Sequence, residues 1–120
     1  MNYYPFHLGD YAANTAHLEP MEDLAYRRAL DLYYLREGPL PADHAEVARL
    51  LRLRDHLEAV QTVLNEFFFE ADGGWRHARC DDEILRMQDR QTKAKASAEA
   101  AVSVRRANAK RTLHERPTDV

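Results

Sequence analysis

A chain of 120 residues, 45% apolar and 31% charged, has room for one small domain and an appendage, not for two domains. No run of about 18 apolar residues occurs, which argues against a membrane-spanning helix, and the N-terminus shows no basic stretch followed by an apolar core of the secretory kind. The net charge of −3 averages two unlike parts: residues 1–90 hold ten Arg and no Lys against seventeen acidic residues, a balance of −7, and residues 91–120 hold seven basic against three acidic, a balance of +4. The first part repels polyphosphate and the second attracts it. Cys80 is the sole cysteine and has no partner for an internal disulfide, as expected of a protein in the reducing cytoplasm.

The N-terminal stretch, Tyr3 to Leu18, is aromatic and His-bearing. Asp10 suits the cap of a short helical turn through Ala13, and Thr15 to Leu18 reads as a small edge strand. Tyr3, Tyr4 and Phe6 serve either to close a small core, the favoured reading, or as a stacking platform for single-stranded nucleic acid.

The first long helix starts near Pro20, a residue suited to the first helical position, with Glu19 and Glu22 as a weak capping box. Met21, Leu24, Ala25, Ala29, Leu32 and Leu35 recur at helical spacing, and Tyr26, Leu30, Tyr33 and Tyr34 widen the stripe, so both sides of this helix should pack. Gly38-Pro39 ends it. Pro41 and Asp43 open a second helix that breaks around Arg52 to Arg54, in a link without the Gly that many such turns contain. Asp55 and Glu58 then form a capping box for a third helix, whose buried face should carry Leu57, Val60, Leu64 and Phe67.

Two short strands follow, Phe67 to Glu70 and Trp75 to Arg79, joined at Asp72-Gly73-Gly74. Alternation sets Arg76, Ala78 and Cys80 on one face and Trp75, His77 and Arg79 on the other, and either face suits the interior. Asp81 or Asp82 caps a last helix through Ile84, Leu85 and Met87. Beyond Arg90 the chain is Ala-rich and basic, either an extension of that helix or a segment that orders on a partner. The fold class expected is mainly α with a small β-hairpin, a winged helix-turn-helix over residues 1–90 with a basic tail over 91–120.

Catalytic constellations are lacking. His77 and Cys80 have a His-x-x-Cys spacing, but no second ligand pair completes a zinc site, and no Ser/His/Asp set or phosphate loop is present. No cofactor and no enzymatic activity are expected. The residues suited to DNA are Arg52 and Arg54, then Gln61 and Asn65, which share a face of the third helix and can pair with adenine edges. Arg76, His77 and Arg79 of the hairpin and Arg105, Arg106, Lys110 and Arg111 of the tail complete the set. The acidic balance of residues 1–90 supports a competing reading, a protein-interaction module for a basic partner such as a host or phage replication protein. The tail also leaves a homodimer open, although its Ala and Val spacing makes a poor heptad seam.

The passages YYPFHLGDY (Tyr3 to Tyr11), His17-Leu18, Ala25-Tyr26, Leu32 to Tyr34, GPLP (Gly38 to Pro41), VLNEFF (Val63 to Phe68) and GWRHARCDDE (Gly74 to Glu83) resemble, in that order, the YdaU-like family of phage and prophage proteins. The resemblance covers about residues 3–90. It implies a winged-helix domain related to replication initiators and DNA binding in phage replication. Glu19 stands where the family tends to have Ser or Thr. Such proteins often continue into a longer region that recruits helicase-loading partners, so an accessory or regulatory role is expected here rather than the full initiator role.

Overall fold

The computed structural model describes residues 1–115, with side chains to residue 110. It is mainly helical with one small antiparallel sheet. The order is α1 (Leu8–Thr15), α2 (Pro20–Arg36), β1 (Leu40–Pro41), α3 (His44–Leu50), a 3-10 turn (Arg54–His56), α4 (Leu57–Phe67), β2 (Phe69–Ala71), β3 (Gly74–Arg76) and α5 (Ala78–Glu115). The sheet runs β1-β3-β2, with Leu40 opposite Trp75 and Pro41 opposite Gly74 on one side of β3, and Phe69 opposite Arg76 on the other. The chain divides into two compact units, Met1–Ile84 and Leu85–Val120. Among the described residues no helix is long and apolar enough to cross a membrane.

The centre of the first unit is α2. Pro20 occupies its first turn and Glu22 accepts the Glu19 backbone N–H at 2.8 Å, so the expected capping box forms with Glu in place of Ser or Thr. Its buried residues are Ala25, Tyr26, Ala29, Leu30, Tyr33 and Tyr34, while Leu24 and Leu35 of the expected stripe lie exposed. The tyrosines take the interior because their hydroxyls find hydrogen-bond partners as the rings are buried. Tyr34 donates to Glu83 at 2.5 Å, and Tyr33 donates to Asp81. Each buried ring contributes about 1.5–3 kcal/mol, and the satisfied hydroxyl avoids the penalty of an unpaired polar group. The helix ends one residue earlier than expected: Glu37, at φ 55°, holds the left-handed capping position that the sequence suggests for Gly38.

The N-terminal segment closes this core. Tyr4 stacks on Tyr34 with ring centroids 4.0 Å apart, and the Arg27 guanidinium lies 4.0 Å over the Phe6 ring. Tyr3 alone of the three aromatics stays open to solvent. The expected edge strand over Thr15 to Leu18 does not form. Instead α1 runs to Thr15, whose hydroxyl donates back to the Tyr11 carbonyl, and the chain turns at Ala16.

Asp43 caps α3 by accepting the Ala45 N–H, and α4 packs on both α2 and α3 through Val60, Val63 and Leu64. Leu57 is more exposed than the periodicity suggests because the chain enters α4 through the 3-10 turn, and Asp55 makes no cap bond there. The hairpin is tighter than expected. Asp72 and Gly73 both have positive φ, 55° and 75°, the backbone of a two-residue turn with two left-handed positions. β3 stops at Arg76, because His77 starts α5. Its backbone carbonyl accepts the Asp81 N–H and its Nδ1 accepts the Cys80 N–H at 3.2 Å, so His77 is the helix cap that the sequence assigns to Asp81 or Asp82.

Candidate nucleic-acid interface

Burial of Val60, Val63 and Leu64 turns the opposite face of α4 outward, and Glu58, Thr62 and Asn65 stand exposed there. Gln61 is only half-exposed, and its Nε2 lies 3.4 Å from His44 Nδ1, which draws it toward α3. Of the expected adenine-reading pair, Asn65 is therefore presented to solvent and Gln61 is drawn aside.

Arg52 and Arg54 sit where α3 gives way to α4, both exposed. The turn between them is closed from behind. The Arg52 N–H donates to the Arg49 carbonyl and the Leu53 N–H to the Ala48 carbonyl, while Arg28 of α2 donates through Nη1 to the Leu51 carbonyl at 3.0 Å and the Arg52 carbonyl at 3.5 Å. Arg28 thereby satisfies carbonyls that the end of α3 leaves open. Arg49 lies beside them, paired with Glu46 at 2.5 and 3.0 Å. Neither Arg28 nor Arg49 stands out in the sequence, since their roles depend on elements packed against each other.

The hairpin presents less than the sequence suggests. Arg76 donates to Asp81 at 3.0 Å and to Asp72 at 3.4 Å, and Arg79 donates to Asp10 at 3.1 Å and lies 3.6 Å from Glu83. Each guanidinium is already held by two carboxylates. His77 is corrected more strongly. Placed with the hairpin's outward residues in one sequence reading, it is only 9% exposed, with Tyr26 on one ring nitrogen and the Cys80 N–H on the other. Because Nδ1 accepts, Nε2 carries the proton and donates to the Tyr26 hydroxyl at 3.0 Å. A side chain so enclosed does not reach a solvent-borne ligand. Beside it, burial pushes the Cys80 thiol up to about 12, which keeps it protonated and unreactive.

Burial also lowers the His77 pKa, with Arg79 acting in the same direction and Asp81 and Glu83 opposing. As pH falls through about 6.5, the unfolded chain takes up the proton before the folded one, so this contribution to stability is complete above that value and lost below it. The expected slope is at most about 1.4 kcal/mol per pH unit, the limit for one proton. Urea unfolding of wild type and His77→Gln between pH 7.5 and 5.5 measures it, and equal slopes in the two proteins would refute the assignment.

In the second unit, Arg105, Arg106 and Lys110 are exposed on α5, and the Arg111 side chain lies outside the described residues. Further up the same helix Lys93 pairs with Asp89 at 2.9 Å.

A family model described as "Protein of unknown function (DUF1376)" matches residues 2–85, which includes every element from α1 to β3. The chain belongs to this family. It is 31% identical over 105 residues to "Uncharacterized protein YdaU" of Escherichia coli (strain K12), an alignment that covers 87% of this chain and 36% of that protein. The chain thus spans little more than a third of the length of that relative. No solved structure matches it. The DUF1376 match holds Arg28, Arg49, Arg52, Arg54 and all of α4, whereas the basic stretch of α5 lies beyond it.

Proposed function

We propose that residues 1–84 form a winged helix-turn-helix that binds DNA without catalysing a reaction, and that the protein acts in phage or prophage replication or its regulation. The observation that carries the reading is the element order: α2, β1, α3, α4, β2, β3, with the sheet in the order β1-β3-β2. In that order two short helices meet at a turn, the second exposes a polar face, and a hairpin follows at once, as in a probe helix flanked by a β-flap. The exposed Arg52, Arg54 and Asn65 supply contacts from the first unit, and Arg105, Arg106 and Lys110 supply salt-sensitive affinity from the second. The role in replication rests on the YdaU-like resemblance. Fluorescence anisotropy on 20-mer single- and double-stranded DNA at low salt tests the reading; no binding to either at tens of micromolar ends it. In the full chain, the triple variant Arg105→Gln, Arg106→Gln, Lys110→Gln should lower duplex affinity about tenfold or more and reduce the salt slope by about 2–3. An unchanged slope would take the tail out of the interface.

One observation favours a second reading. Glu19 and Glu22 at the start of α2 and Asp55 and Glu58 of the α4 entry line one open groove, with Arg54 and His56 as its basic members. Four carboxylates suit a basic protein surface better than a phosphate backbone. If Asp55→Asn with Glu58→Gln leaves every captured protein partner in place, that reading fails.

A further inference from the structure

The turn between α3 and α4 carries an arginine in a backbone conformation that favours glycine. Arg52 has φ 61°, left-handed, where a Cβ is crowded by its own carbonyl. Many helix-turn-helix links place Gly at such a point, and the missing Gly noted in the sequence is replaced here by a charged residue held under strain. The surrounding structure imposes this position: the Leu53 N–H is bound to the Ala48 carbonyl, and Arg28 holds the Leu51 and Arg52 carbonyls from behind. Strain retained at one residue of a well-fastened turn points to a use for that side chain.

Two further arginines come to the same corner from different elements. Arg49 lies in the last turn of α3, Arg54 opens the 3-10 turn, and together with Arg52 and Asp55 they line an open hollow of about 330 Å³. The Glu46 carboxyl is held below its usual range first by its bond to Arg49, and the charges of Arg36 and Arg54 add to the effect. Asp55 lines the hollow with the three arginines, and Asp43 and Glu46 line the adjoining hollow with Arg49 and Arg54. Within the hollow itself three guanidinium groups meet one carboxylate, a locally positive surface on a unit whose overall balance is negative, and a fork of planar donors suits a phosphodiester oxygen.

We infer that this corner, formed by Arg49, Arg52 and Arg54, is a docking point for the phosphate backbone of duplex DNA, with Glu46 acting as an internal competitor for Arg49. The inference deepens the winged-helix reading and rests on it. The contact is to backbone, so it sets the register of α4 on the duplex and carries no sequence preference. Arg28 is a positioning residue: it touches no ligand and keeps Arg52 turned outward.

The corner gives two changes of opposite sign. Arg52→Gly removes a charge and relieves the strained backbone. It should weaken binding of a 20-base-pair duplex about three- to tenfold and lower the salt slope by about one, with a Tm equal to or above that of wild type. A merely structural Arg52 would lose affinity and Tm together. Arg52→Lys keeps the charge and should retain most of the affinity. Glu46→Gln frees Arg49 and should tighten binding about threefold. Anisotropy titrations at several salt concentrations, with thermal melts of each variant, provide every readout. If wild type binds the duplex while Arg52→Gly and Arg54→Gln bind with the same affinity and slope, the corner is refuted and the wider reading survives. If wild type binds no duplex, both fall.

Discussion

Trp75→Ala should be the most damaging single substitution in the first unit, lowering its stability by about 3–5 kcal/mol. Trp75 is the only tryptophan of the chain and is 5% exposed. It sits in the middle strand, opposite Leu40 of β1 and Glu70 of β2. Its Nε1–H donates to the Ala42 carbonyl at 3.1 Å, and its ring stacks at 5.4 Å on His44, the first residue of α3. One side chain therefore ties the hairpin to β1 and to the start of the helix-turn-helix. Domains of this size have about 5–15 kcal/mol in total, so the loss should lower the Tm by roughly 15 °C or more. Trp75→Phe keeps most of the apolar contact and loses the indole donor, which should cost about 1–2 kcal/mol. Urea unfolding followed by far-ultraviolet circular dichroism compares the three proteins. An alanine variant within about 1 kcal/mol of wild type would mean that the hairpin is not anchored through this ring.

The features legible in the sequence are those fixed by neighbours along the chain. Asp72-Gly73 gives the hairpin because both residues tolerate positive φ. Pro20 with Glu19 and Glu22 gives the start of α2, and the apolar period places Val60 and Leu64 inside α4. The misses involve partners far away in sequence. β1 is two residues long and contains Pro41, so no alternation reveals it; it exists because β3 pairs with it some thirty residues later. Tyrosine outranks leucine in the core of α2 because Asp81 and Glu83, nearly fifty residues on, accept the hydroxyls. The same holds for the candidate interface. Arg52 and Arg54 are where the sequence suggests, in the break between two helices. Arg79 reads as a free cation until Asp10, 69 residues earlier, is found beside it. His77 reads as a strand residue until its ring nitrogen is seen to cap α5. The charge split carries through as well, since local arginine clustering at one corner is compatible with an acidic unit.

Gly74→Ala should be the second large effect, and it separates two roles that adjacent glycines play. A Cβ at Gly74 would lie 2.4 Å from the Leu40 carbonyl oxygen and 3.2 Å from the Pro39 Cβ. The first contact is with backbone in the paired strand, so no side-chain rotation relieves it. β3 must move away from β1, and the Leu40–Trp75 and Pro41–Gly74 pairs are lost together. The expected cost is about 1–3 kcal/mol, and the displaced strand also withdraws Trp75 from Ala42 and His44. Gly73 is the control. A Cβ there meets nothing within 4 Å, but its φ of 75° is left-handed, so Gly73→Ala should cost only about 1 kcal/mol of backbone strain. Gly73→Asn should cost less, because Asn tolerates that region. Hydrogen exchange distinguishes the two cases. Gly74→Ala should expose the amides that join β1 to β3 while leaving α4 protected, and Gly73→Ala should leave both protected. Equal protection in the two alanine variants would show that the β1–β3 pairing does not depend on the close approach at Gly74. The hairpin would then be held by Trp75 alone.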